Sequence, residues 1–498
     1  MGPNVSPRPS RTGLVAVLAG LGAVAGSYAA AGFTGGYVVA PLDALLQRAM
    51  PGVVVTAAIE TLGSLGQALN LATATVLAVL GFAALARLAL STGRRADSTV
   101  APVVLTALLS STTALALTGA FVPAAAAGLG SGGVLGVAAA ARRTARADAD
   151  DPSRDRRELL AALAGAAGIG SLSLLGRGLP IPEHHAATPD EDAATVSADV
   201  ADALETARER SLDVEGIEPL VSRNFYTVDI NSVDPQVDPG SWSLSVTGAV
   251  DEELTFDLAD LRAMDSRNEF VTLRCVGESR NGHKLDTALW TGVDPMALIE
   301  RAGVASDCEC VMLRAADDYY EEFPLAAFEG GLLAYEMNGA SLPRSHGFPI
   351  RALVPGHWGE VNVKWLTEIE LLDRERTGFW EERGWHGTGP VTTVAKLHAV
   401  NRLEDGRVQV AGHAYAGTRG VSVVEVSTDG GDTWRSARLS EPLPGEDVWR
   451  QWAHTYDPPG GAHEVVVRAA EDDGTVQPRE QRDSYPNGAT GWVSRTVE

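Results

Sequence analysis

Apolar and polar positions follow two different patterns along this chain, and the change comes near residue 180. Before it, long apolar runs at 12–32, 68–90, 100–121, 123–140 and 158–177 follow one another with few charges. About 20 apolar residues suffice for a helix to cross the hydrocarbon core of a bilayer. The five runs therefore predict an α-helical transmembrane bundle over residues 1–180, whose fourth helix is rich in Gly and Ala as close helix packing requires. Residues 181–218 are polar, acidic and Pro-containing, and read as a linker with one amphipathic helix at about 194–211. From 219 the runs shorten and alternate between Gly, Pro, Asn and Asp punctuation, which predicts an α+β domain over 219–388. Its strand candidates are "WSLSVTGAV", "EFVTLRCV", "CVMLRAA" and "TEIELL"; "PMALIERAGV" and an Asp-capped "FDLADLRAM" are short helices. Residues 389–498 carry closely spaced strands with Asp-Gly turns, a β-sandwich pattern. Within it "STDGGDTW" is a hairpin turn needing positive φ, too short in ligands for a calcium loop.

Arginine placement predicts orientation. Arg8 and Arg11 precede the first run, Arg94 and Arg95 separate the second and third, and Arg142, Arg143, Arg146, Arg154, Arg156 and Arg157 separate the fourth and fifth. With five spans, every basic loop falls on the cytoplasmic side and residues 178–498 fall outside. Arg156-Arg157 before a short apolar run read either as an internal twin-arginine export signal or as an ordinary basic anchor. No His precedes His184, so a haem between two His ligands has no place in the bundle. Its expected role is anchoring or docking a partner.

Net charge sharpens the picture. At −24, with only Lys284, Lys364 and Lys396 as lysines, the chain lacks the clustered cations that nucleic-acid binding needs. An acidic, Lys-poor surface keeps a protein hydrated in high salt, and a halophilic protein is the expectation. The three cysteines are too few for a disulfide framework. Cys308 and Cys310, at i and i+2 on a strand, are expected to be packing residues. Cys275 closes an apolar strand beside Arg274 and Arg280, and cationic neighbours favour the thiolate that binds a soft metal. On composition alone a buried structural thiol fits Cys275 equally well.

The segments "FVTLRCVGESRNG…ALWTGV", "LLAYEMNGASLPRSHGFPIRALVPGHWGEVNVKWLTEIELL" and "GFWEERGW" resemble, in order and spacing over about 222–388, successive blocks of the sulfite oxidase/eukaryotic nitrate reductase molybdopterin family. The resemblance implies a sulfite-oxidase-type molybdopterin domain followed by an immunoglobulin-like dimerisation domain, and hence a homodimer. It implies Cys275 as the protein thiolate on molybdenum. His346 and Arg351 match residues that hold the pterin and its phosphate tail, and Asn362, Val363 and Lys364 match a further stretch on that cofactor. Phe225, Tyr226, Thr227, Val228 and Asp229 match an early cofactor-contacting strand, and Asp317 another polar contact.

Departures bear on the substrate. Val228 stands where sulfite oxidases carry an Arg, and Gly384-Trp385 stand where they carry Asp-Tyr; Arg280 matches the family Arg five residues after the Cys, and Arg419 is a candidate second cation. The catalytic set expected on this basis is Cys275, Arg280, Trp385 and Arg419. The implied reaction is oxygen-atom transfer on a small oxyanion, with sulfoxide reduction as the alternative and an inactive binding protein of the same fold as a third reading. The Mo-molybdopterin cofactor would carry the chemistry. With no CxxCH and no nucleotide motif, electrons are expected to pass through a separate carrier: a cytochrome, a copper protein or a quinone-linked subunit.

Overall fold

A computed structural model describes residues 11–62, 64–95, 98–145, 196–305 and 308–498, which fall into two compact units. The described part of the first unit comes from 11–50, 61–145 and 229–236. It contains α1 (Arg11–Ala31), α2 (Ala40–Ala49), most of α4 (Ser64–Arg95), α5 (Ala101–Thr118) and α6 (Phe121–Ala145), while α3 (Gly52–Leu62) lies largely in the second unit. Four helices are long and apolar enough to cross a membrane: Thr12–Ala31, Leu65–Gly93, Ala101–Thr118 and Phe121–Ala141. They coincide with the first four predicted runs; the fifth, and the Arg156-Arg157 pair, lie outside the described residues.

Small residues let these helices approach closely. A side chain at Gly22 or Gly26 of α1 would run into the backbone of α6 at Gly130 or Ala126. Asp43 is fully buried and hydrogen-bonded: Asn70 Nδ2 donates to it at 2.6 Å and the Ser232 backbone N–H at 2.9 Å. A buried carboxylate is tolerable when its oxygens are occupied in this way.

In the second unit the predicted linker helix is α7 (Ala198–Arg210), N-capped by Ser197. The α+β portion then runs β1 (Leu244–Gly248), β2 (Leu254–Phe256), α8 (Leu258–Arg262), β3 (Ser266–Arg274), β4 (Leu285–Val293), α9 (Pro295–Ala302), β5 (Cys310–Ala315), β6 (Tyr320–Pro324), β7 (Leu332–Met337), β8 (Ala340–Ser341), β9 (Arg351–Leu353) and β10 (Leu366–Leu371). All four predicted strands and both helices are present, and α8 begins with a capping box from Asp257. One sheet has the order β2-β1-β10-β5-β6, with only β1 and β10 parallel. Leu261, Leu298 and Ile299 of its helices pack in one core with Leu244, Val246 and Ile369. The second sheet has the order β3-β4-β7-β8, with β9 also on β7. Every residue of β4 is buried, and its polar Asp286, Thr287 and Thr291 are hydrogen-bonded to Ser222, Thr272 and Asn268.

The C-terminal portion continues with β11 (Val394–Ala395), β12 (Ala399–Arg402), β13 (Val408–Tyr415), β14 (Val423–Ser427), β15 (Arg435–Ser436), β16 (Arg438–Leu439), β17 (Arg450–Tyr456), β18 (His463–Ala470) and β19 (Val493–Val497). They form two antiparallel sheets, β11-β13-β17-β16 with β12 on β13, and β15-β14-β18-β19. Val410 and Trp452 of one meet Val424 and Val467 of the other in a shared core, the sandwich expected from alternation. Gly430 and Gly431 take φ of +78° and +105° in the predicted hairpin turn.

Two local expectations are corrected. Cys308 and Cys310 are joined in a disulfide rather than merely packed, because the intervening Glu309 at φ +50° turns their side chains together, Cα atoms 5.2 Å apart. Residues 225–229 form an extended segment without ladder pairing rather than a strand; its Tyr226 N–H is claimed by the Asp286 carboxylate at 2.8 Å.

The β4–β7 ladder shifts register between Thr291 and Gly292, where a methyl group would overlap the Leu333 carbonyl. Gly292→Ala is expected to destabilise the protein by about 1–3 kcal/mol, measured by denaturant unfolding; unchanged stability would show that the bulge relaxes freely.

Candidate active site

Cys275 follows β3 directly and opens a loop that returns to β4. The loop is closed on itself: the Cys275 N–H donates to the Lys284 carbonyl at 3.0 Å and the Glu278 N–H to the Cys275 carbonyl at 3.2 Å. Glu278 fills its centre, accepting from the Lys284 N–H at 2.5 Å, from Arg274 Nε at 3.2 Å and from the Lys396 ammonium. All three charged side chains are at most 1% exposed. Burial alone would raise the Glu278 carboxyl, but Lys396 and Arg274 hold it below its usual range. Arg274 also donates to the Thr392 and Ala489 carbonyls at 2.7 and 3.1 Å and lies over the Trp358 ring. Burial pushes the Cys275 thiol up, opposed by Lys284 and the Gly277 N–H. The thiol-lowering effect expected from Arg274 and Arg280 is not what dominates: Arg274 is neutralised by Glu278, and Arg280 turns to the Arg482 carbonyl at 3.3 Å and to Asp483.

An aromatic cluster lies beside this strand end, where the Tyr226 hydroxyl and the Arg274 carbonyl both abut Gly359. The phenol of the half-buried Tyr226 is raised by desolvation and then by the charge of Cys275, with Arg351 opposing. Phe225 stacks on Tyr226 and meets His346 and Trp290 edge-on, centroids 5.5 and 5.6 Å away. Trp290 in turn carries the Arg351 guanidinium over its face at 5.1 Å. Arg351 donates to the Asn362 carbonyl at 3.0 Å, and Lys364 donates to the Ser345 carbonyl at 2.9 Å. Gly347, at φ +108°, lies between Arg351 and Lys364; a Cβ there would come within 3.1 Å of both side chains. Only glycine suits that backbone and that close packing.

Other predicted residues fall elsewhere. The Asn362 amide is spent within the chain, accepting from Val354 N–H at 2.8 Å and donating to the Trp358 carbonyl at 3.0 Å, so it braces the 354–358 loop. Val363 is in the core of the first sheet. Asp317 caps the β5–β6 turn through the Tyr319 N–H at 3.1 Å. Val228 is exposed, and Asp229 belongs to the first unit, where its carbonyl accepts from Gln67. Arg419 pairs with Glu471 at 3.0 Å and donates to the Val391 carbonyl. Thr227 lies in the same extended segment as Tyr226.

Trp385 is 2% exposed, and its indole N–H meets no acceptor among the described residues. Around the same 378–387 segment three carboxyl groups gather: Gly387 abuts Glu360, and Gly378 abuts both Glu321 and Glu381. The Tyr319 hydroxyl lies 3.0 Å from Glu321 Oε2 and 2.9 Å from the Glu360 carbonyl. Burial, then Glu381, raises Glu360 to about 9, and the same causes raise Glu321 well above the usual range. Glu278, Asp286, Lys396 and this trio were absent from the residues expected from sequence. Each is a common charged residue; Glu278 has local partners in Arg274 and Lys284, but its burial and its Lys396 partner, 118 positions away, leave no local signal.

Residues 231–380 match the family profile described as "Oxidoreductase molybdopterin binding domain", and 389–487 match "Mo-co oxidoreductase dimerisation domain". Mitochondrial sulfite oxidase of Homo sapiens is 30% identical over 336 residues, covering 55% of this chain and 62% of that protein. The chain thus spans under two thirds of that relative's length. An uncharacterized oxidoreductase, YuiH, of Bacillus subtilis (strain 168) is 33% identical over 172 residues, covering 34% of this chain and 84% of that protein. Among solved structures, the sulfane dehydrogenase SoxCD from Paracoccus pantotrophus overlays with a TM-score of 0.49 at 20% identity, covering 58% of this chain and 82% of that one, a likeness too loose to bear on activity.

Glu360 keeps a proton in the folded chain that the unfolded chain loses in the ordinary carboxylate range, so its contribution to stability is full at low pH and is lost as pH rises through about 9. The melting temperature of the wild-type protein should fall from about pH 5 to pH 9 at fixed salt, and Glu360→Gln should flatten that slope. An equal slope in both proteins would mean Glu360 is ionised throughout.

Proposed function

The chain belongs to the sulfite oxidase family of molybdopterin-dependent oxidoreductases, and from this we propose that it is a membrane-anchored enzyme of oxygen-atom transfer whose catalytic unit works outside the cytoplasmic membrane. The observation that supports this is the contact series from Tyr226 through Phe225 to His346 and Arg351, with the Tyr226 hydroxyl and the carbonyl of Arg274, which precedes Cys275, both against Gly359. Its donor set suits the group the family implies. A strand-end thiol suits a soft metal. Two cations, Arg351 and Lys364, whose stems flank Gly347, suit a phosphate tail, and aromatic edges suit a flat pterin.

When bound, the molybdenum cofactor supplies the oxygen-atom transfer and the two-electron redox change. The chain's own residues do the rest. Cys275 holds the metal, Arg351 and Lys364 bind the tail, and His346 and Phe225 wall the pterin. Trp385 offers its indole N–H to a substrate oxygen. Glu360, kept neutral by burial, holds a proton on that side. Sulfite with water gives sulfate, two protons and two electrons, and the electrons leave singly through a separate carrier.

Sulfoxide reduction, the same balance run backwards to a sulfide and water, is the second reading. It is favoured by the engagement of Arg280 and Arg419 with C-terminal groups, which leaves neutral donors, Trp385 and Glu360, to meet the oxygen. Steady-state assays with sulfite and an electron acceptor, against a sulfoxide and a reduced dye, separate the two. We further read the C-terminal sandwich as the contact of a homodimer.

Cys275→Ser is expected to abolish turnover while pterin is retained; full turnover would refute the ligand role. Arg351→Ala should weaken cofactor retention by about 1.5–3 kcal/mol, roughly 10- to 100-fold, read as molybdenum per protein by mass spectrometry, and unchanged content would remove its phosphate role. A disulfide belongs to an oxidising compartment, so Cys308 and Cys310 should resist maleimide in acid-quenched cells until reductant is added. Free thiols there would place the catalytic unit on the cytoplasmic side.

A further inference from the structure

We propose that the C-terminal domain tunes the metal held by Cys275, with Lys396 as a positioning residue that fixes the cysteine loop and leaves one net buried positive charge beside it. This rests on the ligand role proposed for Cys275. It goes beyond a domain whose family description is dimerisation.

The clamp is made by three consecutive residues, 396–398, lying along the loop. Lys396 Nζ donates to the Gly282 carbonyl at 2.9 Å as well as to Glu278. Asn281 and Leu397 exchange two hydrogen bonds, 2.9 Å from the Asn281 amide to the Leu397 carbonyl and 2.8 Å from the Leu397 N–H to Asn281 Oδ1. A His398 ring nitrogen lies 3.0 Å from the same Gly282 carbonyl. The loop that carries the thiol is therefore shaped from outside its own domain portion.

Charge follows from the same contacts. Arg274 and Lys396 contribute two positive charges and Glu278 one negative, all at most 1% exposed. Below about pH 7 Lys396, lowered by burial to about 8, is charged, and the nearby buried Asp286, raised by burial to about 7, adds no negative charge. In such a low-dielectric setting an uncompensated charge acts strongly on its surroundings. Beside a thiolate-bound metal, a net positive charge favours the reduced, more negative state and so raises the midpoint potential. Removing Lys396 leaves a neutral Arg274–Glu278 pair; neutralising Glu278 leaves two cations. The two changes must act in opposite directions. A tie that only holds the portions together predicts instead that both variants lose stability and neither shifts the potential.

The test is an EPR-monitored redox titration of the molybdenum in full-length holoenzyme at fixed pH and salt, on wild type, Lys396→Met, Lys396→Arg and Glu278→Gln. Melting temperature and metal content are measured alongside. The expected result is a lower midpoint in Lys396→Met, a higher one in Glu278→Gln, and a wild-type value in Lys396→Arg. Potentials unmoved in both neutralising variants, or moved the same way, overturn the proposal whatever the melting temperatures do. If Lys396→Met does not fold, Glu278→Gln decides: a rise supports the charge argument and its absence overturns it. A wild-type spectrum identical to that of Cys275→Ser would remove the ligand reading and this proposal with it. A Cys275-dependent spectrum with unmoved potentials removes this proposal alone.

Discussion

The Glu278 carboxylate organises the interior around it. It accepts from the backbone of its own loop at Lys284, from the strand that precedes the loop at Arg274, and from the C-terminal portion at Lys396. A carboxylate this deeply buried is tolerable only with its oxygens filled and its charge matched. The same requirement binds the partners, since a buried Arg or Lys without an anion costs as much. The strand end and loop at 274–284 and the distant segment at Lys396 are thereby obliged to meet, and the thiol at position 275 lies where they do.

A second polar interior follows the opposite rule. Glu321, Glu360 and Glu381 gather around Tyr319, and burial followed by the nearby Glu381 raises the proton affinity of Glu321 and Glu360. Like charges close together in a low dielectric are relieved by keeping protons. The second unit thus pairs a charged Arg274–Glu278–Lys396 cluster behind Cys275 with two carboxyls, Glu321 and Glu360, that keep their protons. One arrangement suits an electron-rich sulfur ligand; the other suits handling protons and a substrate oxygen.

The helical unit is built on different physics. Its described helices are held by close backbone approach at small residues, with Asp43 satisfied by Asn70 and Ser232. Four of them meet the length and apolarity of a membrane span. In the catalytic unit, by contrast, the C-terminal sandwich does more than pack its own core of Val410, Val424 and Trp452. Its first strand region reaches back through Arg274, Asn281 and Gly282 to the cysteine loop.

Much of this was legible from the residues alone. Long apolar runs, the α8 capping box from Asp257, the Asp-Gly turns of the sandwich and the blocks around Cys275, His346 and Arg351 are local patterns. Local patterns survive in a sequence because a few neighbouring side chains decide them. The Cys308–Cys310 bond, the diversion of Arg280 and Arg419 to C-terminal partners, the Glu278–Lys396 pair 118 positions apart and the glutamate trio were decided only by the folded chain. Whether a charged residue is a solvated surface group or a buried, matched one depends on what the fold brings against it from far along the chain, and no spacing of residues records that.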